Sequence, residues 1–577
     1  MKSIPNCLRT LCPSIILTSL LVSPLSVADT FYWDNNSTTN GVGGTGNWTA
    51  TSTNWSTSSA GTTATVLLPA TSDVIFAGTA GIVSLSSASQ AALSMAFNVS
   101  GYTIRNSSTA TTSSNRYFEA TNGITLANGV NLNISSGATV AGAITGLRGS
   151  NGTTTVAGGT GSSITITGDT GTGNSSNRIG VGLDTMNIAA SAPITIASTG
   201  DGYTYLTSAV GSRVIDASIT INSGSRLTLS GSTSSTARTL TVNGVISGST
   251  GLTVGESTNT GSALRLNGIN TYTGGTLLTA GSLGYGNISA LGAGTVTLSN
   301  GVAFGQSLSI PGTTLDRTLA NNININGDVT IGLGTFTNTL GGAVNLGGGT
   351  RVITLANSTT MSGVISNGAL TVASSSVTRS LTLNGTNTYA GLTTVQGGQL
   401  IVNGSLHADS IVTVALGAQL GGSGIIAGDT VVNGTLAPGT GLGTLSLDDL
   451  TLGTASTYTF ELTGGAATAD LSQVGGLLTL ASGAALNLVQ LGSYTANDKF
   501  TLFSYGTLAG TFAGLADEGE FTAAGGIWKI DYNDSTAGTN GGTGTKYVTI
   551  TAIPEPASAI LGGLGALLLL SGRRRRH

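Results

Sequence analysis

Few residues in this chain have the types and spacing that do chemistry. His407 stands two residues before Asp409, an imidazole and a carboxylate as in a general base, but it is the one histidine between the chain's two ends. In a turn-like stretch with no second histidine, it reads as a solvated corner. Asp448 and Asp449 offer the two carboxylates that glycoside hydrolysis needs, yet adjacent strand residues point to opposite faces and do not converge on one bond. Gly41-Val-Gly-Gly-Thr-Gly46 matches the dinucleotide spacing GxGxxG. That motif works between a strand and a helix, and here Asn-Trp-Thr and Ser/Thr-rich residues follow with no helical period. Beyond Lys2, lysine is confined to Lys499, Lys529 and Lys546. Cys7 and Cys12 both fall in the first twelve residues, which leaves the rest of the chain no thiol for a disulfide, a metal or a nucleophile. No zinc spacing, calcium nonapeptide or phosphate loop occurs, so the expectation is a protein that is not an enzyme, with no catalytic residues, cofactor or metal.

The elements that position these residues are set by composition. Glycine makes up 89 of 577 residues, about 15%, roughly twice the usual level. Charged residues are 8% of the chain while hydrophobic ones reach 39%, many of them β-branched. Disordered chains show the reverse balance, so the chain is expected to be ordered and mostly β. Setting aside Lys2, Arg9 and Arg573 to Arg576 leaves 14 basic residues against the chain's 24 acidic ones. No basic stripe remains, which excludes nucleic acid as a partner.

From about Thr121 the chain alternates in short runs: Ile164-Thr-Ile166, Ile194-Thr-Ile196, Ile219-Thr-Ile221, Leu227-Thr-Leu229, Leu240-Thr-Val242 and Leu252-Thr-Val254. Aliphatics with Thr between them are half-buried strands. The runs at 240, 252 and 264 are a dozen residues apart, which leaves no room for crossover helices. Asn-Gly pairs at Asn243-Gly244, Asn267-Gly268, Asn384-Gly385 and Asn433-Gly434 suit hairpins of an antiparallel sheet. They equally suit corners of a β-helix, where Asn and Gly accept left-handed backbone angles.

A long repeat favours the second architecture. Leu264-Arg-Leu-Asn-Gly-Ile-Asn-Thr-Tyr-Thr-Gly-Gly-Thr276 returns 117 residues later as Leu381-Thr-Leu-Asn-Gly-Thr-Asn-Thr-Tyr-Ala-Gly-Leu-Thr393, with nine of thirteen positions identical. Repeats on this scale stack. Its Leu pairs are expected to face inward, with Tyr packed along the stack and Asn and Gly at corners. Asn270 to Thr276, followed by Ala280-Gly-Ser-Leu283 and Ala290 to Leu298, resembles the autotransporter-associated β-strand repeat of bacterial surface proteins. The second copy keeps Asn387-Thr-Tyr389 and Gly391 but has Ala390 and Leu392 where the first has Thr273 and Gly275. Gly434 to Gly439 also resembles passenger regions of that group. The resemblance implies a right-handed parallel β-helix outside the cell and names no ligand.

The two ends read as addresses. Lys2 and Arg9, the apolar run Leu11 to Val22 and Ser26-Val-Ala28 predict a secretory signal peptide, cut by signal peptidase between Ala28 and Asp29. At the other end, Pro554-Glu-Pro556 leads into an apolar stretch, Ala557 to Leu570, and then Arg573, Arg574, Arg575 and Arg576. Fourteen helical residues rise about 21 Å, short of a ~30 Å hydrocarbon core. The arginines are expected to act as a cytoplasmic stop. The combination resembles the PEP-CTERM sorting signal of Gram-negative bacteria. It implies recognition of Pro554, Glu555 and Pro556 by an exosortase, with the helix removed afterwards.

The expected organisation is therefore all-β. A signal peptide (1–28) precedes an N-terminal β cap (29–120) plugged by Trp33, Trp48 and Trp55. A β-helix repeat region (121–450) and a C-terminal β cap (451–552), denser in aromatics, follow. A sorting signal with one short transmembrane helix (553–577) ends the chain. The expected role is an exported, exosortase-sorted structural or adhesion protein of the cell surface or extracellular matrix of a Gram-negative bacterium. Its expected partners are signal peptidase, exosortase, the inner membrane and exopolysaccharide. The alternative is a β-helix polysaccharide lyase or glycosidase, an analogy of fold alone.

Overall fold

A computed structural model describes residues 28–554, apart from 36–40, 62–65, 70, 87, 107–115, 136–143, 151–153, 168–179, 185, 198–202, 209–210, 226, 231–237, 256–261, 307–316 and 464–467. Every regular element among them is a β-strand. No helix of the described residues is long and apolar enough to cross a membrane, and the expected span at 557–570 lies outside them.

The strands form a parallel solenoid with three ladders. The first runs without a break from Thr30–Trp33 to Thr507–Gly510. The chain then steps to the third ladder, next to the second, and back to the first. Tyr203–Thr207, Arg213–Ile215, Ile219–Ile221 and Leu227–Ser230 make one such turn. Among the described residues turn length varies from 16 residues, Leu420 to Leu436, to 43, Phe31 to Val74. The first ladder crosses residues 120 and 450, so rungs occupy part of both segments expected to be caps.

The alternation expected from the sequence is what builds the interior. Ile164, Ile194, Ile219 and Ile246 stack in register, as do Ile166, Ile196 and Ile221, all buried. Each contributes about 1.5–3 kcal/mol by leaving water, while the Thr between them faces outward. At the first turn, Trp33, Trp48 and Trp55 are buried edge to face, with centroids 5.2 and 4.9 Å apart, and Trp55-Ser56 pairs antiparallel with Tyr32-Trp33. At the far end, Lys499–Tyr505 turns the second ladder into an antiparallel sheet with Lys546–Ile553, Gly526–Asp534 and Glu520–Ala523. Trp528 is buried beneath Tyr494, 4.6 Å away.

The doubled segment does not stack on itself. Leu264 and Leu266 lie on the first ladder, whereas Leu381 and Leu383 lie on the third. Five parallel pairings lead from Ser262–Leu266 up to Ala369–Ala373, and the second copy begins on the next face. The 117 residues thus span five and one third turns. Both copies nonetheless make the same local contacts. Tyr272 and Tyr389 are buried, with hydroxyls 2.6 and 2.8 Å from Thr276 and Thr393 Oγ1. Asn270 and Asn387 are buried too. Asn270 accepts from Ile246 N of the turn below and donates to Ala290 O of the turn above; Asn387 bridges Ile365 N and Ser405 O.

The corners correct one expectation. None of Gly244, Gly268, Gly385 or Gly434 has a left-handed backbone. They are glycine because the turn beneath leaves no room for a side chain. Between the third and second ladders the column is continuous: a Cβ on Gly363 would lie 2.1 Å from Gly342 O, on Gly385 2.4 Å from Gly363 O, on Gly404 2.1 Å from Gly385 O, and on Gly424 2.1 Å from Gly404 O. The left-handed positions are elsewhere, as at Gly281 and Gly398, both at φ +75° and 117 residues apart.

These two kinds of glycine predict different costs. Gly385→Ala forces backbone apart and should destabilise by about 1–3 kcal/mol, as overpacking does. Gly417→Ala, at φ +81° with open space around it, should cost only ~1 kcal/mol of backbone strain. Urea unfolding of the two variants tests this; equal midpoints would remove the close-approach argument.

Candidate binding surface

The residues first considered for chemistry stay apart. His407 Nδ1 is 3.6 Å from Asp409 Oδ2, both are exposed, and the ring nitrogen accepts from Asp409 N, a turn contact. Asp449 Oδ1 accepts from Leu477 N of the next turn, while Asp448 is exposed. Gly43 of the GxGxxG stretch bridges Asp34 and Thr79 within the first turns. Asp517, Glu518 and Asp531 bring their carboxylates within 4.8 Å on the cap surface, a grouping that sequence spacing did not reveal. Each is engaged: Asp517 with Tyr532 N, Asp531 with Asn533 N, and Glu518 in an ion pair with Lys529.

Of the address residues, Ala28 is half-buried and Asp29 exposed. Asp29 O accepts from Asp73 N, and the first strand starts at Thr30. Pro554 is exposed just beyond the last strand, whose Ile553 pairs with Ile527. Glu555, Pro556 and Arg573 to Arg576 lie outside the described residues.

What the fold does assemble is columns of polar side chains. On the third ladder Asn133, Thr165, Thr195, Thr220 and Ser247 follow one another in register, one per turn. On the first, Thr371, Thr394 and Thr413 do the same, then Thr451 and Thr479 beyond Val431. Parallel neighbours lie ~4.8 Å apart, so each column is a straight row made mostly of hydroxyls, with Asn133 at the start of one and Val431 interrupting the other.

The second ladder carries a charged column. Glu119, Arg148, Asp184 and Thr207 are in register; Arg148 Nε donates to Asp184 Oδ2 at 3.0 Å, and Thr207 Oγ1 to Asp184 Oδ1 at 3.0 Å. Its guanidinium lies 3.9 Å over the Tyr117 ring and 3.6 Å from Glu119. Burial works against the Arg148 charge, but Asp184, Tyr117 and Glu119 outweigh it and raise the pKa. This column sets one guanidinium between two carboxylates and satisfies its charged groups among themselves.

Where solenoid meets cap, Asp470 is fully buried. Its Oδ1 accepts from Gly443 N and its Oδ2 from Glu461 N, both at 2.9 Å. Burial pushes the carboxyl up to about 7, against the pull of those two N–H groups. Beside it Asn540 is held three ways: its Nδ2 donates to Asp470 O and Thr501 O, each at 2.8 Å, and its Oδ1 accepts from Thr501 N at 2.7 Å. That fixes the loop after Gly526–Asp534 against the last turns.

No protein-family profile matches the chain. Over 85 residues it is 45% identical to the adhesin BmaC autotransporter of Brucella suis biovar 1 (strain 1330). The match covers 14% of this chain and 2% of that protein's length.

Asp470 gives a pH dependence with a definite sign. Its native pKa lies above the ordinary value of 3.8, so its contribution to stability is present below about pH 4 and is lost as pH rises through about 7. The stability difference between the native protein and Asp470→Asn, followed by urea unfolding from pH 4 to 8, should move against the native protein. A difference independent of pH would place the carboxyl in its ordinary range.

Proposed function

We propose that this is an exported surface or extracellular-matrix protein of a Gram-negative bacterium with a structural and adhesive role. The observation that carries the reading is the set of hydroxyl columns repeated at one turn's spacing along an extended solenoid. Each contact such a row makes is weak, and many made together raise avidity without one strong site. Partial similarity to an autotransporter adhesin supports the same reading. The natural partner for rows of neutral hydroxyl and amide groups is exopolysaccharide.

In this proposal the solenoid is right-handed, like most parallel crossovers. Signal peptidase cuts between Ala28 and Asp29, which leaves a body that starts one residue before its first strand. An exosortase recognises Pro554-Glu555-Pro556 while the apolar segment 557–570 sits in the inner membrane. Arg573 to Arg576 hold the terminus in the cytoplasm until the helix is removed.

Intact-mass measurement on protein recovered from cell surface and medium tests the route. The expected product starts at Asp29 and lacks Arg573 to Arg576. A product that retains the four arginines would overturn sorting. Loss of binding to the producing cell's own surface or matrix, measured with the purified native chain, would overturn adhesion.

A further inference from the structure

The junction of solenoid and cap holds a concave, uncharged site that the flat faces do not. Ser446, Gln473 and Ser504 are in register on three successive turns of the second ladder. They form the floor of a cleft of about 420 Å³, walled by Thr543 and Thr545 of the loop that Asn540 pins. That volume lies within the ~300–1,000 Å³ range of small-ligand pockets. Glycines keep it open: a Cβ on Gly506 would meet Gly475 O at 2.8 Å, and one on Gly544 would meet Ser504 Cβ at 3.2 Å.

We propose that this cleft binds a neutral glycan segment. No charged side chain lines it. Its side-chain polar groups are hydroxyls and one amide, groups that both donate and accept, as sugar hydroxyls do. Gln473 Oε1 already accepts from Thr543 Oγ1 at 3.2 Å, which leaves the Gln473 amide hydrogens and the Ser446 and Ser504 hydroxyls for a ligand. Asp448 stands at the rim beside Gly475 and is a further acceptor for vicinal hydroxyls. An acidic glycan would meet Asp448 with no cation among the lining residues to compensate. A peptide strand has no free edge to add to, because Lys499–Tyr505 is already paired on both sides, with Leu471–Val474 and Lys546–Ile553. The Asn540 clamp presets the geometry, so little ordering is needed on binding.

The inference rests on the adhesion reading and deepens it, and the two fail separately. Two variants of the full chain alter the cleft. Gln473→Ala removes the amide. Gly475→Leu fills the space, and its Cβ has only ordinary contacts, 3.7 Å from Leu447 O, with no left-handed backbone to strain. Thr522→Ala, exposed on the cap strand Glu520–Ala523 and outside both the cleft and the hydroxyl columns, is the control. Binding to dextran and galactomannan as neutral probes and to alginate as an acidic one is measured by affinity electrophoresis, with circular dichroism to confirm folding. The expected result is retention by a neutral polysaccharide that falls at least ten-fold in both cleft variants and not in the control. Unchanged binding in both variants, or cleft-dependent binding of alginate instead, overturns the neutral-glycan site and leaves adhesion standing. A native chain that adheres to cells but holds no neutral polysaccharide does the same. A native chain that binds neither cells nor polysaccharide overturns both.

Discussion

The structure depends on how closely one turn approaches the next at the corner between the third and second ladders. The carbonyl of each corner residue lies where the next residue's Cβ would be, 2.1–2.4 Å away from Gly342 to Gly424. Only a residue without a side chain allows the three faces to stay at one strand spacing while the chain turns sharply between them. Asn321 is the exception in this column, and it shows the rule. Its amide reaches down to Gly292 O and Gly294 O, and its own carbonyl lies 2.1 Å from where a Cβ on Gly342 would be. A larger residue holds the corner only by hydrogen-bonding the turn below and passing the close contact to the glycine above.

Because every corner solves the same steric problem, a sequence that works at one works at another. This is why the doubled segment lands a third of a turn out of phase and still places Tyr272 and Tyr389, or Asn270 and Asn387, in matching surroundings. The repeat encodes a strand, a corner and a second strand, and the number of turns between copies is free. The alternation and the solenoid were legible in the sequence, since period two and short spacing depend only on neighbouring residues. The phase was not, because it depends on summed lengths of turns that vary from 16 to 43 residues. The reason for the corner glycines was likewise misleading: Asn-Gly pairs suggest left-handed angles, and the close approach of another turn leaves no mark in the local sequence.

The same limit governs the binding surface. The Thr of each Ile-Thr-Ile run could be read as outward-facing, so the columns were implicit once the strands stacked. Arg148 and Asp184 meet across 36 residues, and Asp470 touches Gly443 and Glu461 through a hairpin folded back on the last turns. Nothing in the spacing of those residues announces the contact. Burial of Asp470 was also hidden, since Thr468-Ala-Asp470 reads as a polar connection until Asn540 closes over it.

A parallel ladder in register makes flat faces, because each outward residue stands over its counterpart one turn below. A flat face offers a ligand many equivalent contacts and no enclosure, which suits avidity and not selectivity. Enclosure requires a segment that leaves the parallel order and returns to cover it. In the described chain the antiparallel cap does this, and the loop carrying Asn540, Thr543 and Thr545 is the part that returns over the second ladder. The cap that stops the strand edge from pairing further therefore also creates concavity. In a solenoid of this kind, lengthening the repeat adds avidity, while any discrimination between ligands has to be built where the repeat ends.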